Sequence, residues 1–157
     1  MSAYTPFDLL PGERRDVLGE GPWWSVAEQY LYWVDIKGKS IRGSNLDGSG
    51  QMSIATPSDV GFALSGAAGM LVLGLRDGIF RVDPSTEDMT RLTSADFDTE
   101  SHRINDGKTD RSGRLWYGTM HDAEETPTGA MYTFDGHSEK RVRDNVTTSN
   151  GIGFQIS

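Results

Sequence analysis

Short apolar runs, separated by turn dipeptides, recur along this chain and predict an all-β protein. Three runs lead the series, at Leu31–Asp35, Leu71–Leu75 and Leu115–Thr119. Each is followed by a second strand-like run, and credible turns such as Asp47-Gly48 and Asp135-Gly136 lie between or after them. No run combines the length and the 3.6-residue period of a globular helix. The pattern therefore predicts strands joined by tight turns.

The strand pattern also repeats with a long period. The three leading runs begin 40 and 44 residues apart. A second series of short strands contains glycines that are 40, 46 and 44 residues apart, at Gly21, Gly61, Gly107 and Gly151. A period of about 40–45 residues with about four strands per unit is typical of a β-propeller blade. A β-sandwich with evenly spaced hairpins is the alternative.

The period predicts that residues 1–157 form a single, partial propeller domain. We expect about three four-stranded blades near residues 20–58, 59–103 and 104–148, with an N-terminal strand segment in residues 1–19. Residues 149–157 are expected to begin a fourth blade. Because a propeller closes into a ring of about four to eight blades, three blades predict part of a larger ring, with open strand edges through which the chain self-associates.

Charge and composition narrow the class of function. The 157 residues include 23 acidic and 15 basic side chains, which give a formal charge of −8. This balance argues against nucleic-acid partners and against binding to an anionic membrane surface. The chain has no cysteine, which excludes disulfides and thiolate metal sites. The N-terminus shows no secretory signal, so we expect a cytoplasmic protein.

Polar residues that suit a metal site lie at equivalent positions of the repeat. Glu20, Asn105 and Asn150 each lie at the start of a predicted inner strand, and Arg103 accompanies Asn105. One carboxylate and two amide oxygens suit a hard divalent cation such as Ca²⁺ or Mg²⁺. The alternative is structural: Asn-Asp-Gly and Asn-Gly are common turn sequences, and an isolated Glu or Arg is usually a solvated surface residue.

Five motifs together resemble one known family, in order and over nearly the whole chain. They are Leu18-Gly19-Glu20-Gly21-Pro22-Trp23, Arg103-Ile104-Asn105-Asp106-Gly107-Lys108, Gly118-Thr119-Met120, Gly129-Ala130-Met131-Tyr132 and Ser149-Asn150-Gly151. This set is similar to the regucalcin/gluconolactonase/luciferin-regenerating-enzyme family, also called the senescence marker protein group. The resemblance implies half of a six-bladed propeller, and a family in which many members hydrolyse sugar lactones with a divalent cation.

The resemblance also implies roles for individual residues. Glu20 and Asn150 match the metal ligands, for Ca²⁺ or Zn²⁺ first and Mg²⁺ or Mn²⁺ as alternatives. Arg103 and Asn105 match residues that hold the substrate, and Asn105 could also face the metal through water. A further acidic substrate-binding residue corresponds to Glu124 or Glu125, of which Glu124 is preferred. The remaining ligand, an Asp that is also the presumed general base, belongs to a later blade.

Two hypotheses of function follow from these observations. The first is a divalent-metal-dependent, gluconolactonase-like hydrolase with a small-molecule sugar lactone as its substrate. In that case the 157-residue chain alone is expected to be inactive, because the later Asp is missing from it. The second is a non-catalytic propeller fragment that binds a metal or a partner protein.

Overall fold

The structure, a computed structural model, describes residues 15–155. These residues form twelve strands in three antiparallel sheets, and each sheet is a simple meander of four sequential strands. The first sheet contains β1 (Gly19–Ser25), β2 (Tyr30–Asp35), β3 (Ser40–Ser44) and β4 (Met52–Ala55). The second contains β5 (Val60–Ser65), β6 (Leu71–Leu75), β7 (Gly78–Val82) and β8 (Met89–Arg91). The third contains β9 (His102–Thr109), β10 (Leu115–His121), β11 (Gly129–Phe134) and β12 (Glu139–Val146).

The second sheet lies between the other two, and the first strands of the sheets are neighbours. Strand β5 contacts both β1 and β9. Apolar side chains fill both interfaces because alternate residues of a strand point to opposite faces. One core contains Tyr32, Val34, Ile41, Leu73 and Val82 among others. The other contains Phe62, Ile79, Ile104, Tyr117 and Tyr132 among others.

Two glycines allow the first strands to approach one another closely. A Cβ atom added at Gly61 in β5 would lie 2.4 Å from the Ile104 carbonyl oxygen in β9. One added at Gly107 in β9 would lie 2.4 Å from the ring of Phe62. No real side chain tolerates such distances, so glycine is required at these two positions of the contact between β5 and β9. Two of the four repeating glycines, Gly61 and Gly107, therefore mark the contact between the second and third sheets.

The expected fold class is confirmed, with three four-stranded sheets in an all-β chain. Residues 147–155, which follow β12, contain no strand, and residues 156–157 lie outside the described part, so the start of a fourth blade stays a prediction. The N-terminal strand expected in residues 1–19 falls mainly on residues 1–14, which are also outside it. Between residues 15 and 155, no helix is long and apolar enough to cross a membrane.

Candidate functional site

A cleft of about 320 Å³ opens where the first strands of the three sheets meet. Strands β1, β5 and β9 supply most of its lining, and the segment after β12 supplies the rest. The polar lining residues are Glu20, Asn105, Asp106, Lys108 and Asn150. Three residues that the sequence singled out, from positions 20, 105 and 150, therefore come together at one site.

Glu20 stands on what we call the β1 wall, which is residues 20–23 of β1. The β1–β2 register shifts between Glu20 and Trp23, and Gly21 adopts a φ of +56°. This irregularity interrupts the ladder beside Glu20, and the stacking of Trp23 on Tyr32, at a centroid distance of 4.7 Å, anchors the strand behind it. The exposed Glu20 carboxylate has no hydrogen bond or ion pair to any residue between 15 and 155.

Asn105 and Asp106 form the opposite side, which we call the β9 wall. Asn105 Oδ1 accepts a hydrogen bond from Arg103 Nη1 at 2.5 Å, and its Nδ2 donates to the Ser149 carbonyl at 2.7 Å. The two partners together determine which end of the amide is oxygen. Asp106 Oδ1 accepts from the Gly107 N–H at 2.8 Å, and Oδ2 accepts from the Ile152 N–H at 3.2 Å.

These contacts also position Asn150. Asn105 holds the carbonyl of Ser149 on one side of it, and Asp106 holds the N–H of Ile152 on the other. Between them, Gly151 adopts a φ of +65°, and its N–H donates to Asn150 Oδ1 at 3.0 Å. The β9 wall therefore fixes the segment that contains Asn150 by backbone contacts on both sides of it.

Arg103 lies behind the β9 wall and does not line the cleft. It is 4% exposed, and its Nε lies 3.4 Å from Asp122 Oδ1. Burial lowers the pKa of the guanidinium, while the charges of Asp122, Asp59 and Glu124 act in the opposite direction. In this structure, the contact of Arg103 with the cleft runs through Asn105, and direct substrate binding by Arg103 stays a prediction.

The acidic residues after β10 divide into two groups. Glu124 and Glu125 are exposed, and neither lines the cleft. Glu124 has a φ of +58° in the turn that follows β10 and acts on Arg103 only through its charge. Asp122 instead contacts Arg103 directly, although the sequence did not single it out. The role of Glu124 in substrate binding stays a prediction.

Comparison with known proteins identifies the family of this chain. The family model described as SMP-30/Gluconolactonase/LRE-like region matches residues 18–156. The chain belongs to this family. It is 37% identical over 141 residues to the 6-deoxy-6-sulfogluconolactonase of Pseudomonas putida, a match that covers 88% of this chain and 48% of that protein. It is 32% identical over 154 residues to the regucalcin of Gallus gallus, which covers 92% of this chain and 50% of that protein.

Solved structures of the SMP-30/gluconolactonase family show the same fold. A calcium-binding protein, regucalcin from Agrobacterium tumefaciens, superposes with a TM-score of 0.80 at 25% identity, over 87% of this chain and 46% of that one. A luciferin-regenerating enzyme superposes with a TM-score of 0.76 at 28% identity, over 87% and 48%. The family membership and the propeller-type architecture are thereby confirmed. The chain spans about half the length of the relatives that it matches.

The residues of the cleft fit the kind of ion that the family resemblance implies. Its acidic and amide side chains, Glu20, Asp106, Asn105 and Asn150, offer the oxygen ligands that hard divalent cations prefer. Glu20 has no partner among residues 15–155, whereas Asn105 Oδ1 and Asn150 Oδ1 each already accept one hydrogen bond. No group of three His, Cys, Asp or Glu residues is assembled within residues 15–155, so a cation held here would depend on amide and water oxygens.

The structure also tests the alternative interpretation that Asn-Asp-Gly and Asn-Gly are ordinary turn sequences. Asn105, Asp106 and Gly107 lie within β9, so the turn interpretation is wrong for them. At Asn150-Gly151, Gly151 has the positive φ of a turn residue, although residues 148–155 form no regular turn. Asp106 was missed as a lining residue, and only its position directly after Asn105 in the motif pointed to it.

Proposed function

We propose that this chain forms part of the active site of a divalent-metal-dependent sugar-lactone hydrolase. The observation that supports the proposal most is the cleft itself. It brings together Glu20 from the first sheet, Asn105 from the third sheet and Asn150 from the segment after β12. These are the residues for which the family resemblance implies metal and substrate binding. Relatives named as sugar lactonases support the substrate class.

In this proposal the two sides of the cleft have different tasks. Glu20 supplies the negative charge that holds a cation, and Asn150 adds an amide oxygen in a position set by the β9 wall. Ca²⁺ is the first candidate because the side chains that line the cleft offer only oxygen ligands, and the superposed regucalcin is called a calcium-binding protein. A bound divalent cation would polarise the lactone carbonyl and acidify a water molecule.

The substrate would lie between Asn105 and the rim of the cleft. Asn105 can hydrogen-bond a sugar hydroxyl from a fixed orientation, with Arg103 directly behind it. Glu124 stands near Arg103 as a candidate second contact. Hydrolysis adds water across the ester bond, so the ring C–O bond breaks and a hydroxy acid is released. The proton acceptor for the water is expected from a carboxylate outside residues 15–155.

The alternative proposal is a propeller fragment that binds a metal or a partner without turnover. The same cleft supports it, since side-chain oxygens are sufficient to bind a cation whether or not turnover follows. Both proposals share a cation at Glu20 and Asn150, and they differ in hydrolysis. Self-association through strand edges also stays a prediction and would be seen by light scattering.

One experiment separates these proposals. The chain is titrated calorimetrically with Ca²⁺, Zn²⁺, Mn²⁺ and Mg²⁺, and then assayed by acid release on a panel of aldonolactones with each metal and with a chelator. Glu20→Gln removes the proposed charge, and Glu87→Gln is the matched control, because Glu87 is exposed and does not line the cleft.

Each outcome has a distinct meaning. Metal-dependent hydrolysis that Glu20→Gln abolishes and Glu87→Gln preserves would support the hydrolase. Metal binding that is sensitive to Glu20→Gln but without hydrolysis by this chain alone is expected of both proposals. It would support the fragment that binds without turnover only if hydrolysis is also absent when the later blades of a relative are fused to the chain. Equal metal affinity of the wild type and Glu20→Gln would remove Glu20 from the site and contradict both.

A further inference from the structure

Five charged side chains join the three sheets directly behind the cleft. We call them the Arg76 network; its members are Lys37, Asp59, Arg76, Asp122 and Arg103. Lys37 lies between β2 and β3, Asp59 directly precedes β5, Arg76 lies between β6 and β7, Asp122 directly follows β10, and Arg103 is in β9. The network ends at the guanidinium of Arg103, which donates a hydrogen bond to Asn105. This hydrogen bond connects the network to the cleft.

Arg76, between β6 and β7, is the centre of this network. Its Nη2 lies 2.9 Å from Asp59 Oδ2 and 2.9 Å from Asp122 Oδ2. Its Nη1 donates to the carbonyls of Thr99 and His102, at 3.1 Å each. Burial alone would lower the pKa of Arg76, but the hydrogen bonds to the two carboxylates outweigh it and raise the pKa. Four acceptors therefore hold one planar side chain: one directly precedes β5, one is in β9, and two lie in the connections next to β9 and β10.

Asp122 is the link between Arg76 and the β9 wall. One of its oxygens contacts Arg76, and the other lies 3.4 Å from Arg103 Nε. Its own backbone is held in place, because the Asp122 N–H donates to the Ser101 carbonyl at 2.9 Å. This carboxylate lies between two guanidinium groups and neutralises part of their repulsion. Its attraction for Arg103 is electrostatic, because Arg103 Nε makes no hydrogen bond within the described residues.

Arg103 then determines how Asn105 presents its amide. Its Nη1 donates to Asn105 Oδ1, which leaves Nδ2 to donate to the Ser149 carbonyl. A flipped amide would place its NH₂ group against the guanidinium and its oxygen against the carbonyl, so both hydrogen bonds would be lost together. The amide is half-buried, and such unpaired groups are costly there.

We propose that Asp122 and Arg76 are positioning residues of the cleft, which act through Arg103 to hold the amide of Asn105 in a single orientation. The significance of this for catalysis rests on the proposed function. The coupling between Asp122 and Asn105 does not, because it is measurable in the free protein without metal or lactone.

The first test is NMR of the side-chain amide of Asn105 in the metal-free chain. Asp122→Asn removes the charge and keeps the shape, and Asp144→Asn is the matched control, because it breaks an exposed ion pair with Arg141 on β12. We expect Asp122→Asn to shift or broaden the Nδ2 resonances of Asn105 and to speed their exchange with solvent. Asp122→Glu, which restores the charge, should recover them in part.

The second test is a double-mutant cycle on Ca²⁺ affinity. Asp122→Asn should weaken binding about 3- to 10-fold, less than the roughly 10–100-fold typical of residues that directly support a metal ligand. In an Asn105→Ala background, the same substitution should have almost no further effect, because its route to the cleft is gone. A merely structural role of Asp122 would weaken binding equally in both backgrounds.

The results distinguish this inference from the proposed function. Asn105 resonances that respond equally to Asp122→Asn and Asp144→Asn would overturn the inference. A specific response of Asn105 without any Ca²⁺ binding would support the inference and count against the proposed function. If circular dichroism shows that Asp122→Asn does not fold, Arg76→Lys keeps a charge at position 76 but lacks the planar fork. It should cause the same change at Asn105, and an unaltered Asn105 amide in that variant would overturn the inference.

Discussion

The two walls of the cleft are built in opposite ways. On the β1 wall, Glu20 is exposed, its carboxylate makes no hydrogen bond or ion pair with residues 15–155, and it directly precedes an irregular stretch of strand. On the β9 wall, Asn105 and Asp106 use all four of their side-chain polar atoms in hydrogen bonds. The first wall offers free charge, while the second offers fixed geometry. Preorganised groups of this second kind need little rearrangement when a ligand binds.

The largest effect should come from the packing that supports the β9 wall. Phe62 is 1% exposed and lies against Gly74 and Gly107. Phe62→Ala should lower the free energy of unfolding by about 3–5 kcal/mol, since it removes a buried ring and leaves a cavity. Chemical denaturation measures the loss. Phe154→Ala is the control, because Phe154 is 37% exposed. If Phe62→Ala lowers the free energy of unfolding as little as this control does, β9 does not depend on this core.

A smaller effect is expected from Asp106→Asn. An Asn can accept one of the two backbone N–H groups that Asp106 accepts now, but its NH₂ group must then face the other. The expected loss is about 1–2 kcal/mol, typical of an unpaired hydrogen bond. Hydrogen exchange should show the amide of Ile152 less protected, with the amides of β6 unchanged. Unaltered protection at Ile152 would contradict the claim that the β9 wall holds the segment around Asn150.

The sequence predicted the inner part of this fold better than its periphery. The repeated glycines and the leading apolar runs located the first three strands of the sheets, because burial imposes a clear pattern on them. The outermost strands were not identified individually. β12 has no buried residue, so its pairing with β11 depends on backbone hydrogen bonds that a hydrophobicity pattern does not contain.

The site was predictable to a similar degree. Glu20, Asn105 and Asn150 were found because they occupy equivalent positions of the repeat, and the structure brings them to one cleft. Asp122 was missed, since its contact with Arg76 joins residues far apart in the sequence and depends on how the second and third sheets pack. No pattern within a short stretch of sequence indicates an ion pair of this kind. Only the packed structure shows that Arg103 is buried behind Asn105.

The acid response of the Arg76 network should be moderate and has a definite sign. Burial by itself would raise the pKa of Asp59, but the hydrogen bonds from Lys37 and Arg76 and the charges of these two residues together lower the pKa below its ordinary value. The stabilisation that Asp59 provides is therefore complete above its ordinary pKa of about 3.9 and is lost as the pH falls through the lower folded value. The wild type should have a higher Tm than Asp59→Asn at pH 7, and this difference should shrink below about pH 4. A difference that is constant between pH 7 and pH 3 would show that the charge of Asp59 is irrelevant.

The smallest effect on stability is expected for a substitution on the β1 wall, and it tests the difference between the two walls most directly. Glu20→Gln removes a charge that has no partner among residues 15–155, so the free energy of unfolding should change by no more than about 0.5 kcal/mol, as for ordinary surface substitutions. Ca²⁺ affinity should nevertheless fall by about 10-fold or more, because the charge of the ligands largely sets the affinity of such sites. Thermal unfolding and calorimetric titration of the same sample measure both quantities. A large loss of stability on Glu20→Gln would mean that Glu20 is held by contacts and that the two walls are built alike.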